Sequence, residues 1–150
     1  ILQDSVNFVN SLVISKERGI TVIESKTAEI RDFASLIWVE VETDKMKSSV
    51  IGTLFTKVHP RIVKIDESYV DAVPEGYMLV TSNKDVPGII GQIGTILGRN
   101  GVNIAGMSFG REAKGGKAVS ILNIDSDVPK KVLEEIRSAP NIYGVKLVKV

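Results

Sequence analysis

A predicted strand leads directly into an unusually glycine-rich helix, and this unit constrains the fold more than any other segment of the chain. The apolar run Tyr77–Val80 is typical of a strand. Asp85 occupies the position of a helix N-cap, Pro87 falls in the first turn, and Gly101 follows the last helical residue. We therefore predict a helix over residues 87–99.

The glycines of this helix share one flank. Each residue turns a helix by about 100°, which separates an apolar arc from a glycine arc. Each interior glycine costs about 1 kcal/mol relative to alanine, so the bare flank needs a reason. Close packing against a sheet, a strand or a second subunit is one reason; a small-molecule site at the strand–helix junction is another, and the two are compatible. The apolar arc holds Ile89, Ile90, Ile93, Ile96 and Leu97, and the glycine arc holds Gly88, Gly91, Gly94 and Gly98.

Three polar side chains around the helix suit an amino-acid ligand. Free N–H groups and the positive end of the helix dipole can hold a carboxylate. Asp85 supplies an acceptor for an ammonium group, and Asn83 and Asn103 supply amides for a carboxylate or a hydroxyl. The segment therefore predicts a site for a zwitterionic amino acid.

The same glycines do not match a nucleotide site. Their spacing, G-x-x-G-x-x-G-x-x-x-G, lacks the G-x-G turn that places two glycines against a pyrophosphate. Asp85 would point negative charge at the phosphates, and no Gly-Lys-Ser/Thr sequence marks a P-loop. The pattern disfavours nucleotide binding in this segment.

The composition indicates a globular chain in two parts. Its 150 residues suffice for one ordinary domain or two small ones, and its apolar runs are too short to cross a membrane. Absence of cysteine fits a reducing cytoplasm, and a start at Ile1 suggests a piece of a longer polypeptide. Residues 1–75 carry a net charge of −3 and two glycines, whereas residues 76–150 carry +4 and eleven. We predict a domain boundary there and, without a dense basic stripe, no nucleic-acid partner.

We predict one helix and a mostly antiparallel sheet in residues 1–75. Asp4 or Ser5 would cap the helix, which runs to about Arg18 and stops at Gly19. Apolar alternation and turn residues place strands at 20–25, 36–43, 49–56, 61–65 and 69–73.

Residues 76–150 follow the order β-α-β-β-α-β, which is that of the ferredoxin-like plait, so the fold class is α+β. Asp127 is the predicted N-cap of the second helix. One face of the sheet carries both helices, and the other is open unless a partner covers it. The predicted strands are 77–83, 102–111, 117–125 and 142–150, and the helices are 87–99 and 129–138.

Two sets of segments carry a resemblance to known families. The first set is Asp85-Val86-Pro87-Gly88, Gly94, Leu97, Gly101-Val102-Asn103-Ile104 and Arg111. The second is Val6-Asn7-Phe8-Val9-Asn10, Lys16-Glu17-Arg18-Gly19-Ile20, Glu24-Ser25-Lys26, Gly52-Thr53 and Arg61-Ile62-Val63. Through the first set, residues 76–150 resemble the ACT domain, a regulatory amino-acid-binding module. Through the second, residues 1–75 resemble the intervening, or allosteric substrate-binding, domain of long-form bacterial D-3-phosphoglycerate dehydrogenases, which directly precedes an ACT domain.

The resemblance implies a regulatory region rather than a catalytic one. In that family L-serine binds between the ACT domains of two subunits and slows the dehydrogenase. The resemblance therefore implies L-serine or another small amino acid as effector and a cytoplasmic homo-oligomer joined through ACT domains. It also implies an NAD-dependent catalytic part outside this chain, with no cofactor bound here. By position, the side chains matching the effector contacts are Asn83, Asp85 and Asn103, and the backbone that closes over the ligand is that of Pro87, Gly88 and Ile89.

A second candidate site binds an anion. Lys57, His59 and Arg61 alternate as one face of a strand would present them, which suits a phosphate-like group. The resemblance places an anion site in the intervening domain, but of its basic positions only Arg61 is matched, and Val73 and Asn123 stand at the others. The alternative is an exposed basic strand edge.

The sequence carries no catalytic or metal-ligand pattern. His59 is the single histidine and has no carboxylate partner at a useful spacing. Turn and N-cap roles account for Asp125 and Asp127 without a metal. Two alternatives to the regulatory region of a dehydrogenase are a subunit of an iron–sulfur L-serine dehydratase, which pairs similar modules, and a structural dimerisation module with a degenerate ligand site.

Overall fold

The computed structural model of the chain describes residues 6–26 and 35–150, in two compact units, Ile1–Ile30 and Arg31–Val150. The first unit contains helix α1, Ser11–Glu17, which ends as predicted where Gly19 takes a φ of +69°. Residues 20–26 have no regular structure, so the predicted strand 20–25 is wrong. An apolar run forms a strand only where another strand supplies hydrogen bonds, and within this described unit none does. The predicted caps, Asp4 and Ser5, lie outside the described residues, but the helix start predicted just after them is wrong, because residues 6–10 are not helical and Asn10 is the N-cap.

The second unit opens with a four-stranded antiparallel sheet, in the order β1-β2-β3-β4. Alternation along the first strand puts Trp38 on one face, opposite Ile51, and Val39 on the other, opposite Val50. The turn after β3 contains Asp66, which takes a left-handed φ of +49°. The strands are β1 Leu36–Glu42, β2 Lys47–Leu54, β3 Pro60–Ile65 and β4 Ser68–Ala72.

A second antiparallel sheet follows, in the order β6-β7-β5-β8, with two helices between its strands. The α+β class and the predicted β-α-β-β-α-β order are both confirmed. The strands are β5 Tyr77–Lys84, β6 Ile104–Arg111, β7 Lys117–Ile124 and β8 Ile142–Lys149, and the helices are α2 Ile89–Arg99 and α3 Lys130–Ser138.

Both predicted aspartate caps of these helices are wrong. Gly88 is the N-cap residue of α2, and Pro129 is that of α3, neither with a side-chain hydrogen bond to the helix. Asp127 accepts the N–H of its neighbour Val128, at 2.8 Å, and no N–H of α3. Asp85 does not cap α2, and two groups on a neighbouring hairpin bind its side chain instead, as described below.

The main core lies between the second sheet and its two helices. Leu79 of the sheet and Ile93 and Leu97 of α2 are fully buried there. Four of the five residues in the predicted apolar arc are buried, but Ile90 is 36% exposed. Ile90 therefore lies on the outer flank of α2, next to the glycines.

The other face of the second sheet is covered in part by the chain itself. Met78, Val119 and Ile121 on this face pack against Ala72 of the first sheet. The backbones of β4 and β6 touch at Gly110, because a Cβ added there would lie 2.1 Å from the carbonyl oxygen of Tyr69. Apolar residues of β3 and β4 complete the contact: Ile62, Ile65 and Val70.

Within the described residues, no helix has both the length and the apolar character needed to span a membrane.

Candidate functional site

Asp85 lies just after β5 and is held by the hairpin between β6 and β7. Its Oδ2 accepts hydrogen bonds from the Arg111 guanidinium and from the backbone N–H of Gly115, both at 3.0 Å. Its own N–H donates to the carbonyl of Gly116 at 2.8 Å. Both side-chain contacts use Oδ2, so among the described residues Oδ1 has no hydrogen-bond partner. Asp85 is thus a fixed carboxylate with one oxygen left to accept a cationic group.

The hydrogen-bond partners of Asp85 set its ionisation. The N–H of Gly115 and then the Arg111 guanidinium lower the pKa of this carboxyl below its ordinary value. The sequence alone gives Arg111 and Gly115 no role in the site. The one available signal is the position of Arg111 at the end of a predicted strand. The contact of Gly115 with Asp85 has no local signal, because it forms only when the hairpin folds back onto Asp85.

A pH dependence follows from this lowered pKa. A carboxyl whose pKa is lower in the folded state stabilises the fold above its unfolded pKa, about 4, and that contribution disappears as the pH falls through the folded value. We expect Asp85→Asn to lower the urea midpoint at pH 6 and to differ little from the parent chain near pH 2.5. Urea unfolding at several pH values measures this. A constant difference between the two proteins across the range would contradict the assignment.

The N-terminus of α2 begins beside Asp85 without a capping side chain. Gly88, with a φ of +92°, turns the backbone into the helix, and Pro87 is exposed in the turn before it. Ile89 buries its side chain in the core, which leaves its backbone at the first helical position. The first N–H groups of a helix lack intrahelical partners, so this end can accept an anion. Pro87, Gly88 and Ile89 therefore meet Asp85 at one place.

Asn83 is completely buried beneath this junction, in a small polar cluster. Its Nδ2 donates to the carbonyl of Lys84 at 2.8 Å, and its Oδ1 accepts from the Ser120 hydroxyl at 3.3 Å. Thr81 is equally buried, and its hydroxyl has no hydrogen-bond partner among the described residues. The sequence grouped Asn83 with the exposed ligand contacts. The structure instead gives it internal partners, and Ser120 and Thr81 were missed because their strands meet only in the folded sheet.

The two hydroxyls of this cluster predict opposite effects on stability. Thr81→Val removes an unpaired buried hydroxyl at nearly constant volume, so we expect the free energy of unfolding to stay level or rise by up to about 1 kcal/mol. Ser120→Ala removes the donor to Asn83 and should lower it by about 1–3 kcal/mol. Urea denaturation of the two variants provides the comparison. Equal destabilisation by both would show that the Thr81 hydroxyl has a partner.

Asn103 lies at the opposite end of α2 from Asp85. It precedes β6, and its Nδ2 donates to Asp125 Oδ2 at 2.7 Å. The 11 residues of α2 alone span about 16 Å, since a helix rises about 1.5 Å per residue. One copy of the chain therefore brings Asn83, Asp85 and the helix N-terminus together and leaves Asn103 apart.

No neighbouring element among the described residues covers the glycine flank of α2. A Cβ added at Gly91, Gly94 or Gly98 would have no described atom of a neighbouring element within 4 Å. Close packing against this chain's own sheet is therefore not the reason for these glycines. A second subunit or a ligand remains as the explanation.

The basic residues of the first half do not share a strand face. Lys57 and His59 lie in the loop between β2 and β3, and only Arg61 lies in a strand. The predicted alternation is wrong because β2 ends at Leu54, before these residues. Arg61 Nε pairs with Asp71 at 3.2 Å. Anion binding by these residues stays a prediction, now without a strand to align them.

The glycine-rich junction does not fit a nicotinamide dinucleotide. Such sites lie at the carboxyl ends of parallel strands, and β5 runs antiparallel to both of its neighbours, β7 and β8. Within residues 6–26 and 35–150, no three His, Cys, Asp or Glu side chains are grouped closely enough to hold a metal ion.

Comparison with known proteins finds a family match for each part of the chain. The D-3-phosphoglycerate dehydrogenase intervening domain matches residues 1–66, and the ACT domain matches residues 77–141. Proteins named D-3-phosphoglycerate dehydrogenase align with nearly the whole chain. The relative from Methanocaldococcus jannaschii is 38% identical over 99% of the chain, that from Synechocystis 40% over 97%, and that from Bacillus subtilis 35% over 98%. The chain spans only 27–28% of the length of these relatives.

Proposed function

This chain belongs to the D-3-phosphoglycerate dehydrogenase intervening-domain and ACT-domain families, and from that premise we propose that it is the effector-binding region of such a dehydrogenase, with L-serine as the effector. The remainder of the longer protein would supply NAD binding and catalysis in the cytoplasm. The domain boundary between residues 75 and 76 is part of the proposal. The names of the relatives favour this assignment over an L-serine dehydratase subunit.

The observation that carries the proposal is the pairing of Asp85 with the open N-terminus of α2. A zwitterionic amino acid needs an anionic partner for its ammonium group and N–H donors for its carboxylate. The free Oδ1 of Asp85 meets the first need, and the uncapped first turn after Gly88 meets the second. Arg111 and Gly115 hold the carboxylate in place before the ligand arrives, which lowers the entropic cost of binding.

The position of Asn103 supports a site built from two chains. Strand β6 is an edge of the second sheet, with no described strand on its outer side. If two copies pair antiparallel through β6, the start of each β6 lies beside the end of the other. Asn103 of a second copy then approaches Arg111 and Asp85 of the first. A single chain would thus hold only part of the site.

Exposed apolar side chains on the same edge support such an interface. Met107 and Phe109 of β6 point to the helix-bearing face and are 51% and 38% exposed. Ile90 and the bare glycine flank lie on α2 above that face. An exposed strand edge bordered by apolar side chains is the surface that a second subunit covers in a symmetric dimer.

The proposal is tested by calorimetric titration of the chain with L-serine, with D-serine, glycine and L-alanine as controls. We expect saturable binding of L-serine with a preference over the controls, and loss of most of the heat in Asp85→Ala with the oligomer retained in sedimentation. Lys84→Met, an exposed neighbouring charge change, should bind normally. A stable dimer with no heat and no rise in melting temperature at millimolar L-serine would instead indicate a structural module with a degenerate site.

A further inference from the structure

The hairpin between β6 and β7 contacts Asp85 on one side and the first sheet on the other. Gly115 and Gly116 hydrogen-bond to Asp85, as described above. The next residue, Lys117, begins β7 and places its Nζ 3.5 Å from Asp66 Oδ2 in the turn between β3 and β4. Three consecutive residues of one short hairpin therefore contact the two halves of the chain.

Asp66 is firmly attached to the first sheet. Its Oδ1 accepts hydrogen bonds from the Ser48 hydroxyl at 2.7 Å and from the Ser49 N–H at 3.0 Å, and its own N–H donates to the Ser49 carbonyl at 2.9 Å. Partial burial raises the pKa of Asp66, but the Ser49 and Ser48 hydrogen bonds and the charge of Lys117 outweigh it and lower the pKa. Asp66 is therefore charged at neutral pH, and a movement of Lys117 acts on β2 through it.

Two other contacts between the sheets, besides the apolar packing around Ala72, are less able to respond. The Asp71 N–H donates to the Ser108 hydroxyl at 2.8 Å, and Gly110 packs directly against the Tyr69 backbone. Both contacts lie on β6, within a paired strand. The lysine–aspartate pair instead joins the ends of two turns and is partly exposed, so its geometry can change without breaking either sheet.

We propose that the Lys117–Asp66 ion pair transmits ligand binding at Asp85 to the first sheet. The proposal rests on the proposed function for the identity of the ligand. A ligand ammonium group on Asp85 changes how strongly this carboxylate holds Gly115, and the hairpin carries that change to Lys117, two residues along the chain. The equilibrium shifts only as far as the ligand distinguishes the two hairpin positions, and the coupling must then act in both directions.

Trp38 provides a built-in reporter. It is the single tryptophan of the chain, and with Asp66 and Lys117 it lines a cleft of about 470 Å³ on the first sheet. We expect L-serine to change Trp38 fluorescence with the same midpoint as the calorimetric titration. In Lys117→Met the calorimetric Kd should stay within about threefold, while the fluorescence amplitude falls by more than half. Lys117→Arg, which keeps the charge, should restore the amplitude.

A second measurement needs no ligand. Amide exchange of Ser49 and Asp66 reports the hydrogen bonds that fix Asp66. Asp85→Asn weakens the attachment of the hairpin, so it should speed exchange at both amides several-fold, and this effect should vanish when Lys117→Met is already present. Lys84→Met, at the position paired with Lys117 on the neighbouring strand β5, is the matched control and should leave the effect of Asp85→Asn intact.

The two measurements separate the inference from the proposed function. Absence of calorimetric binding, with the exchange effect present, would overturn L-serine as the effector and support the coupling. Normal binding with no Trp38 response, or an exchange effect of Asp85→Asn that persists in Lys117→Met, would overturn the coupling and leave the binding function in place. An equal fluorescence response in the parent chain and in Lys117→Met would overturn it as well.

Discussion

Mixing two binding-deficient variants is expected to restore L-serine binding. Asp85→Ala and Asn103→Ala should each weaken binding by about 10- to 100-fold, because the first removes the partner of the ligand's ammonium group and the second removes an amide that binds its carboxylate or hydroxyl. In a symmetric dimer, a mixed pair keeps one site with Asp85 from one chain and Asn103 from the other. Random pairing at equal concentrations then leaves about a quarter of all sites intact.

The experiment is a calorimetric titration after the two variants are unfolded, mixed and refolded together. Each variant refolded alone is the control and should bind weakly. No recovery in the mixture, with dimers formed, would show that Asp85 and Asn103 do not act on one ligand across an interface. Normal binding by Asn103→Ala alone would remove this residue from the site. The outcome matters because Asp85 and Asn103 lie at opposite ends of α2 within one chain.

Alanine at Gly110 is expected to separate the two sheets. A Cβ at this position would lie 2.1 Å from the Tyr69 carbonyl oxygen and 2.8 Å from Val70 Cγ1, both far inside contact distance. Because the nearest atom belongs to backbone, the clash is relieved only by moving β4 away from β6. We expect Gly110→Ala to lower the free energy of unfolding by about 1–3 kcal/mol or more, the usual range for overpacking a close contact.

Gly106→Ala is the matched control on the same strand. A Cβ there would meet only the Asn123 side chain, at 3.9 Å, so the change should be close to neutral. Urea unfolding followed by Trp38 fluorescence would show whether the first sheet loosens before the second. Equal stability of the two alanine variants would contradict the close approach of β4 and β6.

Local patterns in the sequence were enough to predict most of the second half. Apolar runs and turn residues placed β5 to β8 and both helices within about two residues, because these patterns act over a single strand or a few helical turns. They placed the first helix less well, and they assigned a strand to residues 20–25 that has no described neighbour to pair with. The candidate site was recognised as a glycine-rich strand–helix junction for the same reason, since its residues are consecutive.

Contacts between distant residues decided the rest. Asp85 follows a local rule for helix caps, yet its side chain binds Arg111 and Gly115, 26 and 30 residues away, instead. Asn83 looks like a ligand contact in the sequence, but strand pairing buries it against Ser120.

The sequence by itself therefore determined the elements, their order and the chemical character of the junction, because local periodicity, caps and glycine positions depend on neighbours along the chain. The tertiary structure alone decided which partner each polar side chain takes, the separation of Asn103 from Asp85, and the partial cover of the second sheet by the first. These features depend on which strands lie side by side in the folded chain. The contact between Gly110 and Tyr69 is an example, because no local pattern encodes the distance between two strands of different sheets.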